Sequence, residues 1–131
     1  MEKLKSSLIF EKYVVNTVNF IRNKNCDIDQ KTNIQFSISK HVVKSENKME
    51  VTLTTKIFEN AEKNNYPFEM EVQLTGYFTI ESESEIDFEP NAIAILYPYI
   101  RAIVSTYTAS ANVNSLILPP INVNNLFRKE N

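Results

Sequence analysis

Apolar and polar positions alternate through most of the chain and then change to a helical spacing towards its end. Leu8 to Phe20 is rich in β-branched and aromatic residues, but its apolar positions change phase, which predicts a strand with a bulge near Val14 and Val15. Arg22 to Lys31 reads as a connection. Asn33 to Val43 alternates cleanly, with Ile34, Phe36, Ile38 and Val42 on one side and Gln35, Ser37 and Ser39 on the other, so it predicts a half-buried strand. After a turn over Lys44 to Lys48, the positions Met49, Val51, Leu53, Thr55 and Ile57 give a third strand of opposite direction. Glu59 to Tyr66 is polar and reads as a loop. Phe68, Met70, Val72 and Leu74 begin a fourth strand, which Gly76 interrupts and Tyr77, Phe78 and Ile80 resume; a lone glycine in a strand marks a bulge or a close backbone approach.

Beyond the acidic segment Glu81 to Glu89, whose charge suits either a solvated connection or a surface for a basic partner, the period becomes helical over about 90–109. Ile93, Leu96, Tyr97, Ile100, Ile103, Val104 and Tyr107 fall on one face, and Ala92, Ile95, Tyr99 and Ala102 on a second. Only the narrow line Ala94, Pro98, Arg101, Ser105, Thr108 separates them, whereas a helix lying on one sheet should have a broad polar back. The second face, Ile95, Tyr99 and Ala102, therefore predicts an oligomer interface with another copy of the helix. Pro98 interrupts the helix or begins it. Leu116 to Ile121 runs extended because Pro119 and Pro120 bias the backbone away from helix, and a short helix over about 122–129 closes the chain. The fold expected is α+β in a single domain, 1–131: a four-stranded antiparallel meander within about 8–80, the long Pro-interrupted helix on one face, and the short C-terminal helix.

Composition narrows the function more than it defines it. A net charge of −2 and a pI near 5.5 carry no basic bias towards nucleic acid or anionic lipid. No apolar run reaches the ~20 residues of a membrane span, and the single cysteine, Cys26, excludes an intramolecular disulfide, so a reducing cytoplasm is expected. One glycine in 131 residues means that Asn, Asp, Ser and Lys must make the turns. His41 is the only histidine and is distant in sequence from Cys26; there is no metal-ligand spacing, glycine-rich phosphate loop or nucleophile elbow, so neither an enzyme nor a cofactor is expected.

One resemblance remains. Leu96-Tyr97-Pro98-Tyr99 with Arg101, then Leu116, Leu118, Pro120 and Asn122, then Leu126-Phe127, resemble the SecB family of protein-export chaperones, which carries a similar L-[FY]-P-Y-x-R helix, an L-x-L-x-P connection and a closing N-x-x-x-L-F. Phe68 to Gln73 with Gly76 and Phe78 is similar to the family's fourth strand. The resemblance implies a homotetramer, a dimer of dimers, that holds unfolded or precursor polypeptides in apolar grooves without ATP. Candidate groove residues are Phe78, Tyr97, Leu116, Leu118, Ile121, Leu126 and Phe127. It also implies docking to the SecA motor through acidic side-face residues; Glu71 matches one of these, while Thr17 and Ile21 stand at the first-strand positions. General holding, the guarding of an antitoxin, and a non-chaperone binding module on the same fold are the alternatives.

Overall fold

The computed structural model describes residues 6–27, 32–82 and 85–123. Four strands, β1 (Ser6–Arg22), β2 (Phe36–Ser45), β3 (Lys48–Ile57) and β4 (Phe68–Ser82), form one antiparallel sheet, with a single-turn helix α1 (Ala61–Asn64) before β4 and a long helix α2 (Glu89–Ser110) after it. The strand order is β1-β4-β3-β2. Only β2, β3 and β4 are thus a meander; β1 lies beside β4 rather than β2, which corrects the expectation that all four strands follow one another. The reason is length. β1, of 17 residues, finds a matching partner only in the 15 residues of β4, and their ladder runs from Ser6 opposite Ser82 to Arg22 opposite Phe68.

The phase change expected near Val14 and Val15 has two causes, both visible in that ladder. Its register shifts between Phe10 and Lys12 and again between Val15 and Thr17, so Glu11 and Asn16 are the extra residues. Each bulged side chain reaches the outer row of β4. Asn16 donates to Gln73 Oε1 at 3.2 Å and Thr75 Oγ1 at 2.9 Å, and Glu11 accepts from Thr79 at 2.8 Å. Thr75 meets Thr52 at 2.8 Å, Gln73 donates to Thr54, and Lys48 donates to Thr79, so a polar lattice spans the outer face of β1, β4 and β3.

The inner face carries the core. Met49, Val51, Leu53 and Ile57 of β3 and Met70, Val72, Leu74 and Phe78 of β4 pack against Ala92, Ile93, Leu96, Ile100 and Val104 of α2, all buried. Gly76 is a point of close approach: a Cβ there would lie 2.5 Å from Leu96 Cδ2. It occupies no left-handed turn. Those conformations fall instead to Glu46, Phe58, Asn60, Asn65 and Asn112, and asparagine tolerates them best of the non-glycine residues.

α2 starts without a side-chain cap, at Phe88, but Glu89 pairs with Lys40 at 3.2 Å and Lys44 at 3.6 Å on β2. The last residue of the acidic segment therefore fixes the helix start to the edge strand. Pro98 lies well inside a helix that begins at Glu89, so it does not start it. Ala94 and Pro98 are both exposed, which leaves the carbonyl that loses its donor on the watered side. The short closing helix expected over 122–129 lies almost wholly outside the described residues.

Candidate functional site

α2 divides its surface three ways. One side packs on β3 and β4. A second side, facing β1, is only partly covered: Ile95 and Tyr99 are half-buried and Ala102 is exposed, while Ala92, expected on this face, is buried in the core. Tyr99 stacks on Tyr13 with centroids 4.3 Å apart, and Tyr107 meets Phe20 at 5.4 Å. Because α2 sits over β3 and β4, the inner face of β1 stays open, and Tyr13 (38%), Val15 (40%), Val18 (37%) and Tyr107 (41%) form an apolar strip beside Tyr99. Sequence reasoning missed this strip. Its signal was the β1 phase change, which puts Tyr13, Val15 and Val18 opposite the buried positions Gly76, Leu74 and Val72.

The third side is the narrow polar line, of which Arg101, Ser105 and Thr108 are engaged together with the neighbouring Tyr97, while Ala94 and Pro98 stay exposed. Residues 116–119 run extended along it as a strap. Tyr97 Oη donates to the Pro119 carbonyl at 2.7 Å, Arg101 Nε to the Leu118 carbonyl at 2.9 Å, and Ser105 Oγ to the Leu116 carbonyl at 3.0 Å; Thr108 Oγ1 accepts from the Leu116 amide at 2.9 Å. The spacing of 97, 101, 105 and 108 is that of one helical face. Burial pushes the Tyr97 hydroxyl above its ordinary pKa, partly opposed by the Arg101 charge.

The groove candidates divide accordingly. Phe78 and Leu118 are core residues, and Tyr97 is buried with only its hydroxyl engaged by the strap. Leu116, within the strap, and Ile121, just beyond it, are half-buried, and Leu126 and Phe127 lie outside the described residues. Ile117, not among the candidates, is the large apolar residue held furthest into solvent among the described residues, at 68%. An extended run that turns Leu116 and Leu118 inward must turn Ile117 outward. Ile121 also lines a trough of about 610 Å³ with Pro90, Asn91 and Ala94 at the start of α2.

On the outer face, Glu71 pairs with Lys56 at 3.9 Å and lines a shallow depression of about 190 Å³ with Asn19, Ile21, Glu59 and Glu69. Thr17 lies further along β1, opposite Gln73. His41 is exposed on the edge strand β2, and Cys26, in the connection that follows β1, is buried with its Sγ 3.6 Å from the Asn65 carbonyl. Among the described residues no group of His, Cys, Asp and Glu side chains is placed to hold a metal ion, and no helix is long and apolar enough to cross a membrane.

A sheet of this order with one long helix on its inner face is also found in solved proteins. A SecB-like chaperone of Mycobacterium tuberculosis, in complex with a ChAD peptide from an antitoxin, superposes with a TM-score of 0.67 at 13% identity, over 87% of each chain. A protein of unknown function from Streptococcus agalactiae gives a TM-score of 0.54 at 12% identity, over 88% of this chain and 99% of the other. The family model described as preprotein translocase subunit SecB matches residues 9–131, from β1 to the end of the chain. The chain belongs to the SecB family. Among its relatives are an uncharacterized protein of Methanocaldococcus jannaschii, 35% identical over 91% of this chain and 81% of that protein, and the protein-export protein SecB of Alcanivorax borkumensis, 29% identical over 76% and 67%. Within this SecB-like chain, Leu96 to Arg101 sits where α2 touches both Gly76 and the strap.

Proposed function

We propose that this SecB-like protein is a molecular chaperone, an ATP-independent holdase that keeps unfolded or precursor polypeptides from aggregating. The observation that carries the reading is the match to the SecB family over residues 9–131. The surface chemistry supports it: Ile117 projects into water from an extended segment, with half-buried Leu116 and Ile121 beside it. Client contact is assigned to the strap and its continuation, Leu116, Ile117, Leu118, Ile121, Leu126 and Phe127, with Tyr97 beneath the strap and Phe78 further inside the core. Each aliphatic or aromatic side chain covered by a client contributes ~1.5–3 kcal/mol, so a few such anchors hold an undiscriminated chain.

The protein associates with itself as a dimer of dimers through Ile95, Tyr99 and Ala102, extended by the open β1 strip, since a two-fold contact is self-complementary. It works in the cytoplasm, where a lone thiol stays reduced. Delivery to SecA has only Glu71 behind it, and Glu71 already pairs with Lys56. General holding is therefore favoured over dedicated export. Guarding of an antitoxin is the second reading, favoured by the neighbour that holds an antitoxin peptide.

Suppression of aggregation of a denatured protein at stoichiometric ratio tests the proposal. Suppression is expected without ATP and with little response to salt, because apolar burial is not screened. Leu116→Ser with Ile117→Ser should weaken it by about tenfold, which corresponds to ~1.4 kcal/mol. A correctly folded protein that leaves aggregation unchanged is a binding module and not a chaperone.

A further inference from the structure

The polar line of α2 reads main chain. None of the four bonds from Tyr97, Arg101, Ser105 and Thr108 engages a side chain of residues 116–119. Only Leu118 is fully buried in that strap, while Ile117, Pro119 and Pro120 face water. Among the described residues the strap makes no main-chain to main-chain hydrogen bond, so α2 side chains supply the polar partners of its backbone. Recognition of this kind selects an extended backbone with one aliphatic side chain and is indifferent to the rest of the sequence. Three of the four contacts are to carbonyls, which proline keeps; Pro119 sits in the strap itself and Pro120 directly follows it. Addition of a strand to a sheet edge, in contrast, needs the amides that proline lacks.

We propose that this rail on α2 is a binding site for the main chain of an extended polypeptide, occupied in the resting protein by the chain's own strap as an internal ligand, which a client displaces. The inference rests on the chaperone reading above and names the segments it takes: extended, tolerant of proline, with an aliphatic anchor for the Leu118 site. Once lifted, the strap presents Leu116, Ile117 and Leu118 as one wall, and the vacated rail is the other. The apparent affinity for clients is then lowered by the fraction of time the strap lies closed.

Hydrogen exchange of the full chain, with and without reduced carboxymethylated lactalbumin as a permanently unfolded probe, tests the displacement. The amides of Leu116, Ile117 and Leu118 should exchange at least ~10-fold faster when the probe is saturating, because the Leu116 amide loses its Thr108 acceptor. A lock supplies the second measurement. Ser115 Oγ lies 3.4 Å from the Ser105 carbonyl, so Ser105→Cys with Ser115→Cys, in a Cys26→Ala background, can tie the strap to α2. The oxidised form should hold the probe about tenfold more weakly than the same protein reduced. Exchange that is unchanged or slower while the probe is held overturns the inference and leaves the chaperone reading standing, as does equal affinity of the oxidised and reduced forms. Should the disulfide not form, the exchange of the unmodified protein decides alone. Failure of the unmodified protein to hold the probe overturns the chaperone reading, and this inference with it.

Discussion

Gly76→Ala should destabilise the protein through a single contact, the seat of α2 on the sheet. The added methyl would lie 2.5 Å from Leu96 Cδ2, 2.8 Å from Leu96 Cδ1 and 2.9 Å from Phe78 Cε2. Leu96 is 0% and Phe78 1% exposed, so neither side chain can swing into water to make room. Either Leu96 leaves its rotamer or α2 lifts; overpacking of this sort costs about 1–3 kcal/mol. Three contacts below the range of real Cβ neighbours place the expected loss in the upper half of that span. Leu96→Ala alone opens a cavity and costs about 2–5 kcal/mol. In the double variant the new Cβ occupies space that Leu96 has left, so the two losses should not add, with a coupling of about 1–3 kcal/mol between them. Urea unfolding followed by circular dichroism, at one fixed protein concentration because association adds to apparent stability, measures all three. With a slope of about 1–3 kcal/mol per molar urea, the single glycine change should lower the midpoint by about one molar. A Gly76→Ala protein as stable as its parent, or strictly additive losses, would refute the argument that Leu96 is what requires a glycine here.

Other consequences follow from single side chains. Tyr99→Glu puts a carboxylate into the proposed self-association face and should dissociate the assembly with its circular dichroism unchanged, as read by light scattering; a monomeric unmodified protein at micromolar concentration would dispose of that face altogether. The Thr55 hydroxyl is buried without a hydrogen-bond partner among the described residues, so Thr55→Val should raise stability by about 1 kcal/mol, and a loss in thermal unfolding would mean the hydroxyl has found one. The raised pKa of Tyr97 makes the folded chain keep a proton that the unfolded chain releases first. Its contribution is complete below the ordinary value of 10.0 and is lost as pH rises from there through the folded value, so Tyr97→Phe should flatten the alkaline fall of the midpoint.

The local elements were legible because their periods are local. β2, β3, β4 and α2 follow from alternation and helical spacing, and even the Gly76 contact was anticipated as one of two meanings of a glycine within a strand. Strand order was not legible: nothing near β1 says that its partner is β4, since that pairing is fixed by matched length and by two bulges whose polar side chains meet Thr75, Gln73 and Thr79 far along the chain. The site was legible in part. Arg101, Ser105 and Thr108 were visible as a polar line, but the atoms they bind are backbone carbonyls and an amide, which leave no trace in residue type. The second apolar face was found at Ile95 and Tyr99, yet its continuation onto β1 depends on where α2 stops covering the sheet, a matter of packing rather than pattern. α1 is four residues long, too short for any period to announce it.

The left-handed turns bear on the chain when it is not folded. Residues such as Asn60, Asn65 and Asn112 hold conformations for which glycine would be unstrained, and each therefore stores a little energy in the native state. Glycine would widen the choice of backbone shapes open to the denatured chain, and one glycine in 131 residues leaves that choice narrow. Exchanges in the opposite sense, glycine to alanine at unstrained sites, typically stabilise by ~0.4–1 kcal/mol through the denatured ensemble alone. Part of what keeps this protein folded is thus written in how few ways its unfolded form can wander, and no list of native contacts would reveal it.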